Sequence, residues 1–425
     1  LERLGLIILD EEQESSYKSE NAPRYHARDV AKYRCVQHRA VLLLGSATPA
    51  VESMYQAREG RYRLFTLSQR FNQQAMPQVR IVDMKRELRA GNCTAISAEL
   101  RRELACNLER GEQSILFLNR RGSSRMVSCG ECGQVPECPR CSVRLTYHSA
   151  NGRLMCHYCG FSQRTETFCP ECGGQMKHVG TGTQKAEEEL KALFPNAAVL
   201  RMDADTVRGG HERILHEFKT RRVPILLGTQ MVAKGLDFEN VTLVGVLAAD
   251  LTLYMDHYCA AERTFSLLTQ VIGRAGRGEK GGRAVIQTYT PENEVLQCAA
   301  QQDYDRFYRS EIRMRRLHNN PPFADLFTLV VSGADEGRVL RASAVLRDAM
   351  KSALQNGLYQ NEPIQVVGPA PAPVAKVNNC YRYHVYLVAK NHKTTRAFVE
   401  YYIKAFSASG ENRGVHIFVN CNAIN

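Results

Sequence analysis

The sequence predicts an α/β protein in which parallel strands alternate with crossover helices, and three observations support this fold class. Short apolar runs end in polar loops, as in LIILDEEQ and VLLLGSATP, and such runs are typical of strands that are buried on both faces of a parallel sheet. Amphipathic stretches such as TQKAEEELKALF lie between the later runs, where crossover helices are expected. Four C-x-x-C pairs interrupt the alternation and indicate an inserted metal-binding module.

The composition limits the class of protein. A chain of 425 residues is long enough for two or three domains. The net charge of +12 favours polyanionic partners such as nucleic acid, although solvated basic faces are the alternative. No apolar run approaches the roughly 18 residues of a membrane span and no signal peptide opens the chain, so we expect no membrane contact and a cytoplasmic location. In that compartment fifteen cysteines indicate metal ligands or free thiols.

The carboxylates of DEEQ follow the first apolar run. Asp10 and Glu11 come just beyond the end of a predicted parallel strand, where ligands of α/β sheets bind. In nucleotide hydrolysis one carboxylate at this place holds Mg²⁺ and a neighbour can position the attacking water. An acidic loop that only caps the strand is an equally good interpretation. The chain contains no G-x-x-x-x-G-K-[ST] pattern, so we expect a fragment whose N-terminal part, with the P-loop, is missing.

Two further motifs lie in the same segment. In PRYHARD, Tyr25 and His26 can stack on bases and Arg28 can meet phosphates, but the start of a surface helix explains the pattern equally well. In VLLLGSATP, Ser46 and Thr48 offer hydroxyl groups at the end of a buried strand. Taken alone, this second motif is an ordinary strand-to-loop corner.

The eight clustered cysteines predict two closed zinc sites. Structural Zn²⁺ takes four thiolates in a tetrahedron, and each C-x-x-C knuckle supplies two. A hairpin around Asn151-Gly152 would bring the two inner pairs together, and the outer pairs would then form the second site; sequential pairing is the alternative. With four protein ligands each, both zincs would be structural. The nested sites are Cys129, Cys132, Cys169 and Cys172 for the first zinc, and Cys138, Cys141, Cys156 and Cys159 for the second.

Two later loops carry polar residues just past predicted elements. GTQMVAKGLDF places Thr229, Gln230 and Lys234 after a buried strand, at the ligand-binding edge of the sheet. QVIGRAGRG sets Arg274 and Arg277 on one face if the segment is helical, where arginines can stabilise the charge of a γ-phosphate. From about Cys298 a β-α-β-β-α-β order suggests a ferredoxin-like unit, with GPAPAPVAKVNN as a stiff Pro-rich loop.

The order of these motifs is similar to that of superfamily 2 helicases. The eight-cysteine insert, ILFLNRRG, RYHARD and GTQMVAKG resemble the PriA family of primosomal replication-restart helicases over nearly the whole chain. The resemblance implies two RecA-like P-loop-helicase lobes, the first one partial, and a C-terminal α+β domain. We therefore divide the chain into a first lobe (1–68), a connector (69–92), a second lobe (93–127 and 176–297), a two-zinc insert (128–175) and a DNA- and partner-binding C-terminal domain (298–425).

The resemblance also implies roles for single residues. Asp10 would organise Mg²⁺, Glu11 would polarise the attacking water, and Gln13, where the family often has His, would lie between hydrolysis and DNA. Ser46 and Thr48 would couple the lobes. Two sets complete the assignment: the γ-phosphate group Gln270, Arg274 and Arg277, and the DNA-binding group Tyr25, His26, Arg28, Thr229, Gln230 and Lys234.

The activity that the resemblance implies is that of an ATP-dependent 3′ to 5′ DNA helicase of replication restart. It would bind stalled or D-loop forks and single-stranded DNA, unwind the lagging-strand arm and initiate primosome assembly. Its partners would be the single-stranded DNA-binding protein and the primosome and replicative-helicase loader proteins, and its cofactors two Zn²⁺ and ATP with Mg²⁺. The fragment alone is expected to be inactive. The alternatives are a non-enzymatic zinc-dependent DNA-binding primosome scaffold and a general superfamily 2 translocase, which the insert disfavours.

Overall fold

The structure is a computed structural model. It describes residues 3–19, 21–67, 75–118, 126–132, 134–140, 144–148, 152–156, 160–179, 183–202, 211–229, 238–253, 255, 257–276, 278, 280–357, 359 and 363–423. Within these ranges, no helix has both the length and the apolar character needed to cross a membrane.

The strands and helices follow one another in four groups. The first group comprises β1 (Leu6–Leu9), α1 (Ala27–His38), β2 (Val41–Leu44) and α2 (Val51–Arg58). The second comprises β3 (Gln78–Asp83), α3 (Met84–Arg89), α4 (Ala98–Glu109) and β4 (Gln113–Leu118), followed by the insert strands β5 (Met126–Cys129), β6 (Thr146–His148), β7 (Arg153–Met155), β8 (Ser162–Arg164) and β9 (Met176–Val179). The third comprises α5 (Thr183–Leu193), β10 (Val199–Met202), α6 (His211–Thr220), β11 (Ile225–Gly228), β12 (Val241–Leu247), α7 (Asp250–Leu253), α8 (Ala260–Ile272), β13 (Arg283–Thr288), α9 (Glu294–Gln301) and α10 (Tyr304–Leu317). The last comprises β14 (Asp325–Gly333), α11 (Glu336–Gln355), β15 (Gln365–Val377), β16 (Cys380–Ala389), α12 (Lys393–Ala408) and β17 (Val415–Cys421).

A six-stranded parallel sheet forms the largest body, in the order β10-β11-β4-β12-β13-β3. Alternate residues of one strand enter two different cores: Ile115 and Phe117 of β4 lie in one buried cluster, Leu116 and Leu118 in another. Helices therefore cover both faces of the sheet, which explains why its strands are continuously apolar. The predicted α/β fold class is confirmed.

The structure revises the expected extent of the second lobe at both ends. Strand β3, inside the segment predicted as a connector (69–92), is hydrogen-bonded to β13 and forms the edge of the large sheet. Helix α10 and the second half of α9, which the sequence assigns to the C-terminal domain (298–425), pack on the same sheet, with Phe307 stacked on Phe265 at 4.4 Å. Burial of these apolar faces joins both segments to the lobe.

The segment after α10 folds as the predicted β-α-β-β-α-β unit. Its antiparallel sheet has the order β15-β16-β14-β17, and α11 and α12 supply buried side chains to its core. The Pro-rich stretch is part of the edge strand β15 and not a loop. Proline cannot donate to a strand ladder, so an edge strand with register shifts accommodates it.

Candidate functional site: the contact between DEEQ and helix α8

The carboxylate of Glu11 is the point at which the first motif meets the second lobe. β1 and β2 pair in parallel, and DEEQ begins directly after β1. Asp10 is exposed, and its Oδ1 accepts a hydrogen bond of 3.0 Å from the Glu11 amide. Gln13 donates from Nε2 to Glu11 Oε2 at 2.7 Å, and Gln270 of α8 donates to the same oxygen at 3.4 Å. One carboxylate oxygen therefore receives an amide from each side of the contact.

A chain of hydroxyl groups runs beside this carboxylate. Ser46 donates from Oγ to Gln13 Oε1 at 2.5 Å and accepts the Thr48 amide at 2.9 Å. Thr48 Oγ1 lies 2.8 Å from Ser266 Oγ of α8 in a buried hydrogen bond. The GSATP loop therefore touches both DEEQ and the helix that carries Gln270. The sequence offered no signal for Ser266 beyond its position one helical turn before Gln270.

Glu12 is the carboxylate of DEEQ to which the sequence assigned no role. Its side chain is buried and accepts hydrogen bonds from the Ala50 amide at 2.7 Å, from Ser53 Oγ at 2.9 Å and from Arg28 Nη1 at 2.9 Å. A buried charge needs such partners because desolvation is costly. Glu12 therefore ties the loop after β1 to α1 and to the start of α2.

This ion pair changes the interpretation of the RYHARD motif. The Arg28 guanidinium, predicted to bind DNA, is largely buried and engaged by Glu12 and Ser53; its pKa is raised by Glu12 against the effect of burial. His26 accepts the Arg28 amide at the start of α1, and burial lowers the pKa of His26 to about 4. Tyr25 remains 47% exposed. Arg28 is therefore corrected to a structural residue, and of these three side chains Tyr25 is the one presented to solvent.

Only some of the second-lobe residues that the sequence predicts at the site lie in the part of the chain that the structure describes. Thr229 follows β11, and its amide donates to Met202 O at 3.3 Å. Gln230, Lys234 and Arg277 lie outside the described residues.

Helix α8 ends at Ile272, and Arg274 lies in the turn that follows. The helix on which the shared face of the two arginines was conditional therefore does not extend to Arg274. The backbone instead folds tightly there: a Cβ on Gly276, whose φ is +67°, would come within 2.3 Å of the Gly282 nitrogen.

A cavity of about 650 Å³ opens beside this contact. Its walls include Gln13 and Tyr25 from the first segment, the described part of the predicted first lobe (3–19 and 21–67), and Gln270 from α8. The C-terminal domain borders it: Lys18 Nζ donates to Cys421 O at 2.8 Å, and the guanidinium of Arg24 lies 3.8 Å from the centre of the Phe418 ring. Three parts of the chain therefore meet around one cavity.

Candidate metal sites in the cysteine-rich insert

Two cysteine knuckles meet at the base of the insert. β5 and β9 pair antiparallel, one knuckle follows β5 and the other precedes β9. The strand pairing begins at Met126 and ends at Val179, slightly beyond the predicted range of 128–175. The four sulfur atoms lie within 4.8 Å of one another and belong to Cys129, Cys132, Cys169 and Cys172. These are the outer pairs of the nested arrangement.

The local geometry suits thiolate ligands. The amides of Glu131 and Cys132 donate to Cys129 Sγ at 3.3 and 3.5 Å; burial raises the pKa of Cys129, but these hydrogen bonds prevail and lower it to about 7. A Cβ at Gly174 would come within 3.0 Å of the same sulfur. Four sulfur atoms so placed match the donor set and spacing of a structural Zn²⁺ site.

The inner pairs are described only in part. β6 and β7 form the predicted hairpin, and Cys138 and Cys156, on either side of it, are both buried in one cluster with Leu145 and Leu154. Cys141 and Cys159 lie outside the described residues. The hairpin brings one cysteine of each inner pair into the same small core.

Comparisons with known proteins agree with these features. Three family models match: the PriA DNA helicase Cys-rich region domain over residues 138–164, the helicase conserved C-terminal domain over 163–279, and the primosomal protein N C-terminal domain over 316–422. The replication restart protein PriA of Bacillus subtilis is 43% identical over 99% of this chain. The chain belongs to the PriA family.

The chain spans about half the length of the curated relatives that it matches. It covers 52% of the Bacillus subtilis protein and 47% of the replication restart protein PriA of Synechocystis, which is 41% identical over 91% of this chain. A solved structure of RecG bound to a three-way DNA junction is similar over 73% of this chain and 30% of that one, with 13% identity and a TM-score of 0.37. This structural likeness is too weak to bear on the function.

Proposed function

We propose that the chain forms the greater part of the motor of an ATP-dependent 3′ to 5′ DNA helicase that acts in replication restart. The observation that carries this proposal is the contact in which Gln270 of the second lobe reaches the Glu11 carboxylate of DEEQ. A nucleotide hydrolysed beside Glu11 would be sensed from both lobes through this oxygen. Hydrolysis would thereby change the contact between the lobes, and movement of one lobe against the other is what a translocating motor requires.

The carboxylates of DEEQ suit ATP with Mg²⁺. Asp10 is exposed at the carboxyl end of a parallel strand, and Mg²⁺ prefers carboxylate oxygens and water. Asp10 would hold the metal, Glu11 would orient the attacking water, and Arg274 and Arg277 would stabilise the γ-phosphate. The metal would supply charge neutralisation on the phosphates. Since the chain has no P-loop pattern, we propose this activity for the protein at the full length of its relatives and expect little ATP hydrolysis from the chain alone.

The insert would hold two structural zinc ions. The outer cluster offers four sulfur atoms within 4.8 Å, and the inner pairs lie in the segment that matches the Cys-rich region model. All four positions at each ion would be taken by protein ligands, so neither zinc would activate water.

The substrate we propose is forked DNA with single-stranded regions, unwound on the lagging-strand arm. The net charge of +12 and the exposed Tyr25 at the cavity support binding of a polyanion with stacking bases; Thr229, Gln230 and Lys234 would contact the strand from the second lobe. Single-stranded DNA-binding protein and loader proteins of the primosome would be the partners, as the resemblance to the family implies.

The deciding experiment measures ATP hydrolysis of the full-length protein with and without forked DNA. We expect stimulation by DNA, loss of nearly all activity in Asp10→Asn, and a fall of about 10²-fold or more in Gln270→Ala, the order of effect typical of one catalytic contact. Asp305→Asn, an exposed carboxylate on α10, is the matched control and should hydrolyse ATP normally. Tight fork binding without any hydrolysis would overturn the motor and favour the zinc-dependent scaffold.

A second experiment addresses the metal. We expect two zinc ions per chain by atomic absorption and one in Cys132→Ser, with Cys106→Ser, outside the insert, as the control. Two zinc ions per chain in Cys132→Ser would contradict the assignment of a zinc site to the outer cluster.

A further inference from the structure

A buried guanidinium joins the two lobes away from the nucleotide contact. The Arg315 side chain is 1% exposed, and its three nitrogens reach three carboxylates: Glu52 of α2 at 2.9 Å, Glu262 of α8 at 2.5 Å and Glu311 of its own helix at 2.8 Å. Arg315 Nη1 also donates to Pro321 O at 3.2 Å. One cation thus lies among carboxylates from the first segment, from the second lobe and from α10.

The cluster around Arg315 is the first of three contacts that helix α8 makes with the first segment. Glu262, Ser266 and Gln270 are four residues apart, so they lie on one face of the helix in successive turns. Each meets the first segment: Glu262 Oε1 accepts the Val51 amide at 2.9 Å, Ser266 Oγ meets Thr48 Oγ1 at 2.8 Å, and Gln270 reaches Glu11. The position of the first contact therefore constrains the other two.

The first contact would be repulsive without Arg315. Glu52 of α2 and Glu262 of α8 face each other across the contact between the first segment and the second lobe, here called the junction. They share one guanidinium. Burial is the largest cause and raises the pKa of Glu262 to about 7, with the Glu52 carboxylate acting in the same direction and Arg315 against it. Removal of the guanidinium would leave Glu52, Glu262 and Glu311 without the cation that they share, and separation of α2 from α8 would return Glu52 and Glu262 to water.

We propose that Arg315 is a positioning residue that neutralises the Glu52 and Glu262 pair and thereby sets the register in which α8 carries Gln270 to Glu11. The assignment of catalysis to Glu11 and Gln270 rests on the proposed function, but the register itself does not. Helix α10 is suited to this role because Tyr304, on its first turn, also donates to Pro49 O at 2.7 Å. The helix is thus held at two points against the first segment.

Disulfide trapping tests the register without ATP. Cysteines placed at Thr48 and Ser266 replace hydroxyls that are 2.8 Å apart, close enough for a disulfide once the side chains adjust. In Arg315→Met we expect the rate of this cross-link, identified by peptide mass spectrometry, to fall by at least about tenfold, the order of coupling seen between buried neighbours. Arg58→Met, which removes an exposed arginine of the same junction, should cross-link at the parental rate.

A rescue variant separates positioning from a general loss of folding. Adding Glu52→Gln and Glu262→Gln to Arg315→Met removes the repulsion, so the cross-linking rate should return to within about threefold of the parent. An undiminished rate in Arg315→Met would overturn the proposal, and so would a loss that the double Gln change does not restore. Neither result depends on ATP hydrolysis, so failure here and failure of the helicase proposal can be told apart.

Discussion

The six-stranded parallel sheet and the β1/β2 pair, both within the part of the chain that the structure describes, have strands of similar apolar sequence and different surroundings. In the six-stranded sheet every residue of β4, β11 and β12 is buried. In the β1/β2 pair, alternate residues are exposed on one face: Leu6, Ile8, Val41 and Leu43 range from 48% to 62% exposed. An apolar strand sequence therefore predicts that the strand is buried, but the neighbouring elements determine whether each face is covered.

The two regions also use different means of stabilisation. The large sheet has an apolar core on each face. The first segment has few buried residues and is held by the polar cluster around Glu12. We expect apolar truncations to be costly in the first case and loss of a buried charge to be costly in the second.

The largest effect is expected from Glu12→Gln. The substitution leaves the buried Arg28 guanidinium without the carboxylate to which it is hydrogen-bonded. Removal of one partner of a buried pair costs about 3–5 kcal/mol. Urea titration followed by circular dichroism measures the change. Glu59→Gln, an exposed carboxylate at the end of α2, is the matched control and should be neutral; equal midpoints for the two variants would contradict the role given to Glu12.

A matched pair of leucines tests the difference between the sheets directly. Leu226→Ala in β11 removes a fully buried side chain and should lower the free energy of unfolding by about 2–5 kcal/mol. Leu43→Ala in β2 removes one that is 48% exposed and should cost less than about 1 kcal/mol. Similar losses in both would mean that the outer face of β1/β2 is covered in solution.

Acid should weaken the first segment through His26. Burial lowers the pKa of His26 to about 4 in the folded chain, while the unfolded value is near 6.5. The unfolded chain therefore binds the proton more tightly, and stability falls as the pH drops from 6.5 to 4. His26→Asn keeps an N-cap acceptor and should reduce this fall in a series of thermal melts. His416→Asn, exposed in β17, should leave the slope unchanged; a slope identical in all three proteins would refute the assignment.

The smallest effect belongs to the exposed ion pair between the two regions. Arg58 Nη2 lies 2.7 Å from Asp305 Oδ1, with both side chains more than half exposed. Solvent screening limits such pairs to about 0.2–1 kcal/mol. A double-mutant cycle with Arg58→Met and Asp305→Asn measures the coupling, and a value well above about 1 kcal/mol would contradict the screening expected of this exposed pair.

The sequence located the site better than it assigned the roles within it. DEEQ and GSATP meet because they follow two paired parallel strands, β1 and β2, whose carboxyl ends lie on one edge. Gln270 reaches them from helix α8, across the contact between the lobes. The nearby Arg28 was assigned to DNA, since a basic residue beside aromatic ones has the same local pattern whether its charge faces a phosphate or a buried Glu12. Arg315 gave no local signal, because its three partners come from positions 52, 262 and 311.

By itself the sequence determined the α/β class, the cysteine knuckles and the order of the C-terminal elements, because periodicity, C-x-x-C spacing and turn residues act over a few neighbours. Only the tertiary structure decided that β3 completes the large sheet, that the Pro-rich stretch is an edge strand, and that α10 belongs to the second lobe. It also decided which charges pair inside the junction. Such outcomes depend on which distant surfaces meet and exclude water, and no short stretch of sequence carries that information.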